Sequence, residues 1–358
     1  MPPALWALGL VVGAGWVVWG AETFAEHLAA TAHSLRVSAV ALAVLLAGAE
    51  PEELATGVAA SLRHAPSVAV GDVFGANATI CLLALGVGAL VAPLPFGGTV
   101  RRYGIWGLPL GAVAVALSWG GRISRWQGLV LVGLYAAYVA VVWILEGEAP
   151  RLGETGELQE VRARTGSSET GEARRGSPET GSSERAPSET GEGRRGSPEV
   201  DEESPVGSVR HVGKDGLLVL LGAAAMAGGA VLLVASVRHL ATGASLQGRL
   251  GLTVVGFATG FEIVVLAWSA ARRGAPEVVV AAVVGSFAYN VTMTLGAAAL
   301  ARPLRLADPA SFHGPGIVML VALAFALAAS RRRDRLGRGA GLLLLLGYPV
   351  FVAVAIVG

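Results

Sequence analysis

Charge is what this sequence has least of. Only 15% of its 358 residues are Asp, Glu, Lys or Arg, where a soluble domain carries roughly a quarter. With 53% of the chain hydrophobic, that shortage points to lipid rather than water as the main solvent. Cysteine occurs once, at Cys81 inside an apolar run, which excludes a disulfide framework or a CxxC metal site within one chain. Neither sign of charge is in excess: the formal net charge is +1, so no electrostatic footprint for nucleic acid or an acidic partner exists. No HExxH, GxSxG or DxxD-type cluster occurs, and the histidines fall mostly near the ends of apolar runs or in loops. A membrane enzyme would need a nucleophile–base pair or a metal-binding constellation, so neither catalysis nor a cofactor is expected.

Glycine, by contrast, is abundant, with 50 residues, and small residues let helix backbones approach closely in a membrane. A run of about 20 apolar residues crosses the hydrocarbon core, and ten runs meet that standard: 4–24, 35–61, 67–93, 104–120, 127–145, 216–236, 250–271, 277–301, 314–330 and 339–357. The opening MPPALWALGLVV lacks the basic stretch of a cleaved signal and reads as the first span. The expected fold class is an all-α membrane protein of about ten transmembrane helices. Three regions follow: a first transmembrane half at 1–145, a linker at 146–215 and a second half at 216–358. The linker is rich in Gly, Ser, Glu, Arg and Pro, and SETGEARRGSPE at 168–179 recurs as SETGEGRRGSPE at 188–199. Such composition buries too little surface to offset its ordering entropy, so disorder is expected there.

The two halves repeat each other. At an offset of 210, Arg63 meets Arg273, Pro66 meets Pro276, Gly75 meets Gly285 and Glu52 meets Glu262. Five spans per half is odd, so the halves enter the membrane in opposite directions, the inverted repeat of secondary transporters. The second span of each half carries acids: Glu50, Glu52 and Glu53 in the first, Glu262 in the second. A charge at the centre of a spanning helix costs about 2.5–3.5 kcal/mol on insertion scales. The cluster therefore faces protein, a cavity or a cation, or else some of its acids are held neutral. Acids of that kind are suited to exchanging a proton for a metal ion. Gly48, Pro51 and Gly57 flank the first cluster, and Gly256 and Gly260 flank Glu262. Breaks at such residues free backbone carbonyls, and carboxylate, hydroxyl and carbonyl oxygens suit hard cations.

At these residues the chain resembles the sodium/calcium exchanger (cation/Ca²⁺ antiporter) superfamily of the prokaryotic type, whose two α-repeats have the form GTSLPE…GNxxGSNxxN. GAETFAEHLAATAHSLRVSAVALAVLLAG (20–48) is similar to the family's approach to its first motif. ELATGVAASLRHAPSVAVGDVFGAN (53–77) is similar to ELATSLVAALRGxPxLAVGNVVGSN, and GSFAYN (285–290) to GSNxFN. The resemblance implies cation binding by Glu52, Glu53, Glu262, Thr259, Ser286 and Asn290, with the metal carried by the three glutamates. Family spacing puts the glutamate 22 residues before the GSN glycine and selects Glu53, whereas internal symmetry selects Glu52. Both stay open. Ser286 and Asn290 have the alternative of helix packing. Glu50, Asp72 and Asn77 are site-lining candidates, Asp72 equally as an interhelical hydrogen-bonding residue. In the first repeat Ala76 stands where the family has serine and Ile80 where it has a polar ligand.

The resemblance thus implies antiport of Ca²⁺ or a related cation for Na⁺ or H⁺ by alternating access. The competing readings are a degenerate member acting as a cation-binding sensor or scaffold, and, more remotely, an intramembrane enzyme. Expected partners are the lipid bilayer and inorganic cations, with monomer and homo-oligomer both open. Arginines at 101, 102, 272, 273, 331–333 and 335 fall in alternate loops. By the positive-inside rule they place the N-terminus outside and the linker in the cytoplasm of a multi-pass protein of the cell (inner) membrane.

Overall fold

The computed structural model describes residues 3–34, 50–146 and 205–357. The first half of the second span, and the linker between 147 and 204 with its expected disorder, lie outside the described residues. In chain order the elements are α1 (Pro3–Ser34), α2 (Pro51–Leu62), α3 (Pro66–Thr79) and α4 (Leu85–Val91), then strand β1 (Leu94–Pro95), α5 (Gly98–Trp119), β2 (Arg122–Ile123) and α6 (Arg125–Glu146). The second half has α7 (Pro205–Leu240), α8 (Ala244–Leu250), α9 (Gly256–Arg272), α10 (Pro276–Tyr289), α11 (Leu295–Ala301), β3 (Leu304–Arg305), α12 (His313–Ser330), β4 (Arg335–Leu336) and α13 (Arg338–Val357). Single π turns at Ile80–Ala84, Gly251–Val255 and Asn290–Thr294 join α3 to α4, α8 to α9 and α10 to α11.

Eight described helical segments are long and apolar enough to span a bilayer. Helix α5, with 22 residues and so about 33 Å long, adds a ninth, and α2 covers the described part of the second apolar run. The chain is an all-α membrane protein of about ten helices. The apolar runs read from sequence match these spans closely. Two helices extend past them: α7 begins at Pro205, so residues 205–215, expected as linker, are helical. Once a spanning helix exists, each added residue gains a hydrogen bond without a new nucleation cost, so polar flanks join it. The same reason carries α8 back to Ala244, ahead of the run expected from 250.

The offset of 210 seen in the sequence recurs in the backbone. The π turns at 80–84 and 290–294 and the strands at 94–95 and 304–305 are 210 apart. So are the left-handed residues at the α2–α3 and α9–α10 corners, His64 (φ 60°) and Gly274 (φ 78°). Strand β1 pairs antiparallel with β4, and β2 with β3, so each half lends a strand to the other at both ends of the bundle. Helix packing is reciprocal too: α6 lies on α11 as α13 lies on α4, and α5 on α10 as α12 on α3. That is an inverted two-fold arrangement of five-helix halves. Its centre is formed by the spans Pro66–Val91 and Pro276–Ala301, which are 83% and 89% buried against 22–50% for the other spans.

Helices α1 and α7 form a separate antiparallel pair joined to the centre chiefly where α7 meets α2. Glycines bring their backbones together. A Cβ on Gly13 would sit 2.9 Å from the Gly229 carbonyl oxygen, and one on Gly20 would sit 2.7 Å from that of Gly222. Both pairs are seven residues apart along their helices, so one seam runs along the pair and the rest of α1 turns outward. Leu5, Leu8, Val11 and Trp16 are exposed there, as a lipid-facing surface requires.

Candidate cation site

Helix α2 starts abruptly at its acids. Pro51 occupies the first turn, where its missing N–H is no loss, and Glu50 is the N-cap residue with extended backbone (φ −104°, ψ 88°). The N-cap backbone carbonyl accepts from Leu54 N–H at 3.1 Å, but the Glu50 side chain does not cap the helix. Instead its Oε2 accepts a hydrogen bond of 2.9 Å from Asn290 Nδ2. Glu52 and Glu53 fill the first turn, and the positive end of the helix dipole favours acids there. A helix N-terminus in water would explain such acids without function. These three, however, are buried: Glu50 is 2% exposed, Glu52 3% and Glu53 0%.

Two buried side-chain hydrogen bonds join the halves at these acids. Asn290 bonds Glu50 as above, and its own Oδ1 accepts from Thr294 Oγ1 at 3.4 Å, which turns the amide nitrogen toward the carboxylate. Thr259 Oγ1 donates to Asp72 Oδ1 at 3.0 Å and also lies 3.2 Å from Val255 O, the last carbonyl of a π turn. π turns cluster at functional sites because they misalign the helix ladder locally, and here Asn290 begins one and Val255 ends another. Glu50 also faces Ser286 and Glu53, and Glu53 lies within electrostatic reach of Glu50, Glu52 and Asp72.

Six buried oxygens on this surface find no hydrogen-bond donor: Glu50 Oε1, both carboxylate oxygens of Glu53, Thr56 Oγ1, Asp72 Oδ2 and Ser286 Oγ. The Arg101–Asp334 salt bridge stands at a helix end, and among the described residues the charged groups acting on Glu50, Glu52, Glu53 and Asp72 are other acids. An ionised carboxylate held this way costs several kcal/mol unless a cation or proton shares it. Among the described residues no three acidic, cysteine or histidine side chains form a metal cluster by themselves. The donor set that fits is therefore mixed, with carboxylates supplemented by hydroxyl, amide and backbone oxygens, which is the coordination hard cations take.

The residues singled out from sequence are placed unequally. Glu50, Glu53, Asp72, Thr259, Ser286 and Asn290 are drawn together by the contacts above. Glu52 is buried beside them, within electrostatic reach of Glu262, Glu50 and Asp72. Glu262 is half-buried in the continuous helix α9; the break expected at Gly256 and Gly260 is instead a π turn ending just before Gly256. The spacing of 22 that selects Glu53 lands in the second half on Ile263, which is 2% exposed. Asn77 donates to Val73 O at 3.0 Å and lies about 140° around the helix from Asp72. Thr56, one turn after Glu53, also faces this surface, a position legible from helical spacing. Tyr289 lies within reach of Glu50, Glu52 and Glu53, and the Tyr135 ring meets it edge-on at 5.3 Å; nothing in the local sequence sets these two tyrosines apart.

The Asn290–Glu50 bond gives a direct expectation. Asn290→Ala leaves Glu50 Oε2 buried with no donor, which should lower stability by about 1–3 kcal/mol, read as a fall in the thermal midpoint of the detergent-solubilised protein.

Comparison with known proteins follows the same outline. An inner membrane protein of Escherichia coli, YrbG, is 24% identical over 96% of this chain and 95% of its own length. The sodium/calcium exchanger MaX1 of Methanosarcina acetivorans is 32% identical over 87 residues, 24% of this chain and 25% of that protein. A solved structure of the sodium-calcium exchanger NCX_Mj covers 98% of this chain and 99% of its own, with a TM-score of 0.54 at 19% identity, a shared fold. The family described as sodium/calcium exchanger protein matches residues 5–144 and 215–357, nearly everything outside the linker. The chain belongs to the sodium/calcium exchanger protein family.

Proposed function

We propose that this chain exchanges Ca²⁺, or a cation of similar hardness, for Na⁺ or H⁺ by alternating access through one site near the membrane midplane. The observation that carries this reading is the group of buried, donorless oxygens on α2, α3 and α10, tied across the halves by Asn290–Glu50 and Thr259–Asp72. Glu53, Glu50 and Asp72 hold the ion, with Thr56 and Ser286 as neutral ligands. Glu52, buried beside them, and Glu262, within electrostatic reach of Glu52, complete the acidic surroundings. Opposing ions occupy overlapping oxygens, so each excludes the other and both are carried in turn.

The α1–α7 pair is the element suited to move. It packs on itself along a glycine seam and touches the rest chiefly through α2, so it can shift against the centre without unpacking it. The N-terminus is outside and the linker cytoplasmic, in a cell (inner) membrane. Proteoliposomes containing the full chain test the reading. ⁴⁵Ca²⁺ uptake should require an outward Na⁺ or H⁺ gradient, and collapsing that gradient should abolish it. Gradient-independent uptake, or none under any gradient, rejects it.

A further inference from the structure

At one end of the bundle the corner between α2 and α3 meets the chain leaving α11, and a cavity of about 370 Å³ opens there. Its lining includes Ser61, His64, Pro66, Arg302, Pro303 and Arg305. Arg302 Nη1 lies 2.7 Å from His64 Nε2, so the guanidinium donates to a neutral ring nitrogen and spends no charge on the contact. Among the described residues neither Arg302 nor Arg305 forms a salt bridge. Helix α3, 14 residues long, begins at Pro66 with no side-chain cap, so its positive end adds to the field at the cavity.

The inverted repeat supplies an internal control. At the offset of 210, Ser61, His64, Arg302 and Arg305 correspond to Ala271, Gly274, Ala92 and Pro95 at the opposite end, while Pro66 and Pro303 correspond to Pro276 and Pro93. The prolines that shape the corner are kept in both halves, and the Ser61 hydroxyl is spent on the Ala298 and Arg302 carbonyls; His64, Arg302 and Arg305 have no basic counterpart at the opposite end, although Arg272 and Arg273 stand close to that corner. The fold builds this corner without those three. His64 even takes the left-handed backbone (φ 60°) that its counterpart fills with glycine, a conformation that costs a side-chain-bearing residue about 1 kcal/mol. Forming the corner therefore does not explain His64, Arg302 and Arg305.

We infer that this cavity is an anion site that takes the phosphodiester of an anionic lipid headgroup from the adjoining leaflet. Two guanidiniums match phosphate oxygens bidentately. The cavity lies at the ends of the spans Pro66–Val91 and Pro276–Ala301, hence at headgroup depth, on the outer side when the N-terminus is outside. The guanidinium–phosphate chemistry by which basic pockets between transmembrane helices bind lipid headgroups on the cytoplasmic side is available to the anionic lipids of either leaflet. The site is separate from the acidic cluster and does not depend on which cation is carried.

The test uses the full-length protein in a neutral detergent, titrated with short-chain phosphatidylglycerol, with phosphatidylcholine of equal chain length and with inorganic phosphate, read by mass spectrometry of the intact protein. Phosphatidylglycerol should bind in preference to both. R302Q/R305Q should weaken it about thirtyfold. R305Q alone should weaken it about fivefold, and because Arg305 is exposed and outside every described side-chain bond, that variant folds normally. Wild-type binding by R305Q, equal binding of phosphatidylcholine, or displacement of the lipid by inorganic phosphate at matched ionic strength overturns the assignment.

Discussion

Glutamine in place of Glu53 should abolish gradient-driven cation uptake while leaving a folded, monodisperse protein. The side chain is fully buried, and both its oxygens lack donors, so in the substitution little is lost from the fold. What is lost is charge at the centre of the site. Removing one partner of a buried charge contact costs about 3–5 kcal/mol, more than a hundredfold in ion affinity. Glu262→Gln is the informative comparison. The residue is half-buried on α9 with its Oε2 enclosed, and it lies within electrostatic reach of Glu52 but outside the Asn290–Glu50 and Thr259–Asp72 contacts. Uptake by that variant should fall less than uptake by the Glu53 variant. Equal losses in the two variants would mean that the second half supplies a carboxylate to the ion as fully as the first does.

That asymmetry was only half visible in the sequence. Apolar runs and the offset of 210 were enough for the helices, their order and the inverted halves, because span length and repeat register are properties of the one-dimensional pattern. The acids were visible for the same reason, since each stands out against apolar neighbours. Which acids converge was not. Glu50 reaches Asn290 because α2 begins at Pro51 and leaves Glu50 in extended backbone, where its side chain no longer follows the helical spacing of Glu52 and Glu53. A one-residue difference in where a helix starts rotates every following side chain by about 100°, and periodicity does not fix a helix start that closely.

Spacing and symmetry gave different glutamates for a physical reason. Symmetry pairs Glu52 with Glu262, and the two lie within electrostatic reach of each other, as mates across a two-fold axis do when they sit near it. Spacing from the glycine of α3 selects Glu53, whose symmetry mate is Ile263. The proposed site would thus lie off the axis and draw its carboxylates from the first half, with amide and hydroxyl partners from the second. Ala76 and Ile80, the first half's missing polar positions, fit this division: both are fully buried and apolar, while Ser286 and Asn290 hold the polar counterparts.

The close contact that holds this off-axis arrangement makes the second large effect. Gly75 on α3 packs against the π turn between α8 and α9 so tightly that a Cβ there would lie 2.2 Å from Leu252 O, and a Cβ on Gly256 would lie 2.5 Å from Ala76 N. Both obstacles are backbone, so neither can rotate away. This is also the stretch that aims Asp72, three residues before Gly75, at Thr259, three residues after Gly256. Gly75→Val should therefore give no monodisperse protein from detergent extraction, since separating the two backbones forfeits the contacts of α3 with α9 and parts Thr259 from Asp72. Gly133→Ala sets the scale. It lies within helix α6 with nothing within 4 Å of its added Cβ, and alanine in place of glycine within a helix stabilises by about 0.5–1 kcal/mol. That variant should extract normally with a slightly raised thermal midpoint. If Gly75→Val behaved like it, α3 and α9 would not need to touch, and the bond between Thr259 and Asp72 could not depend on their approach.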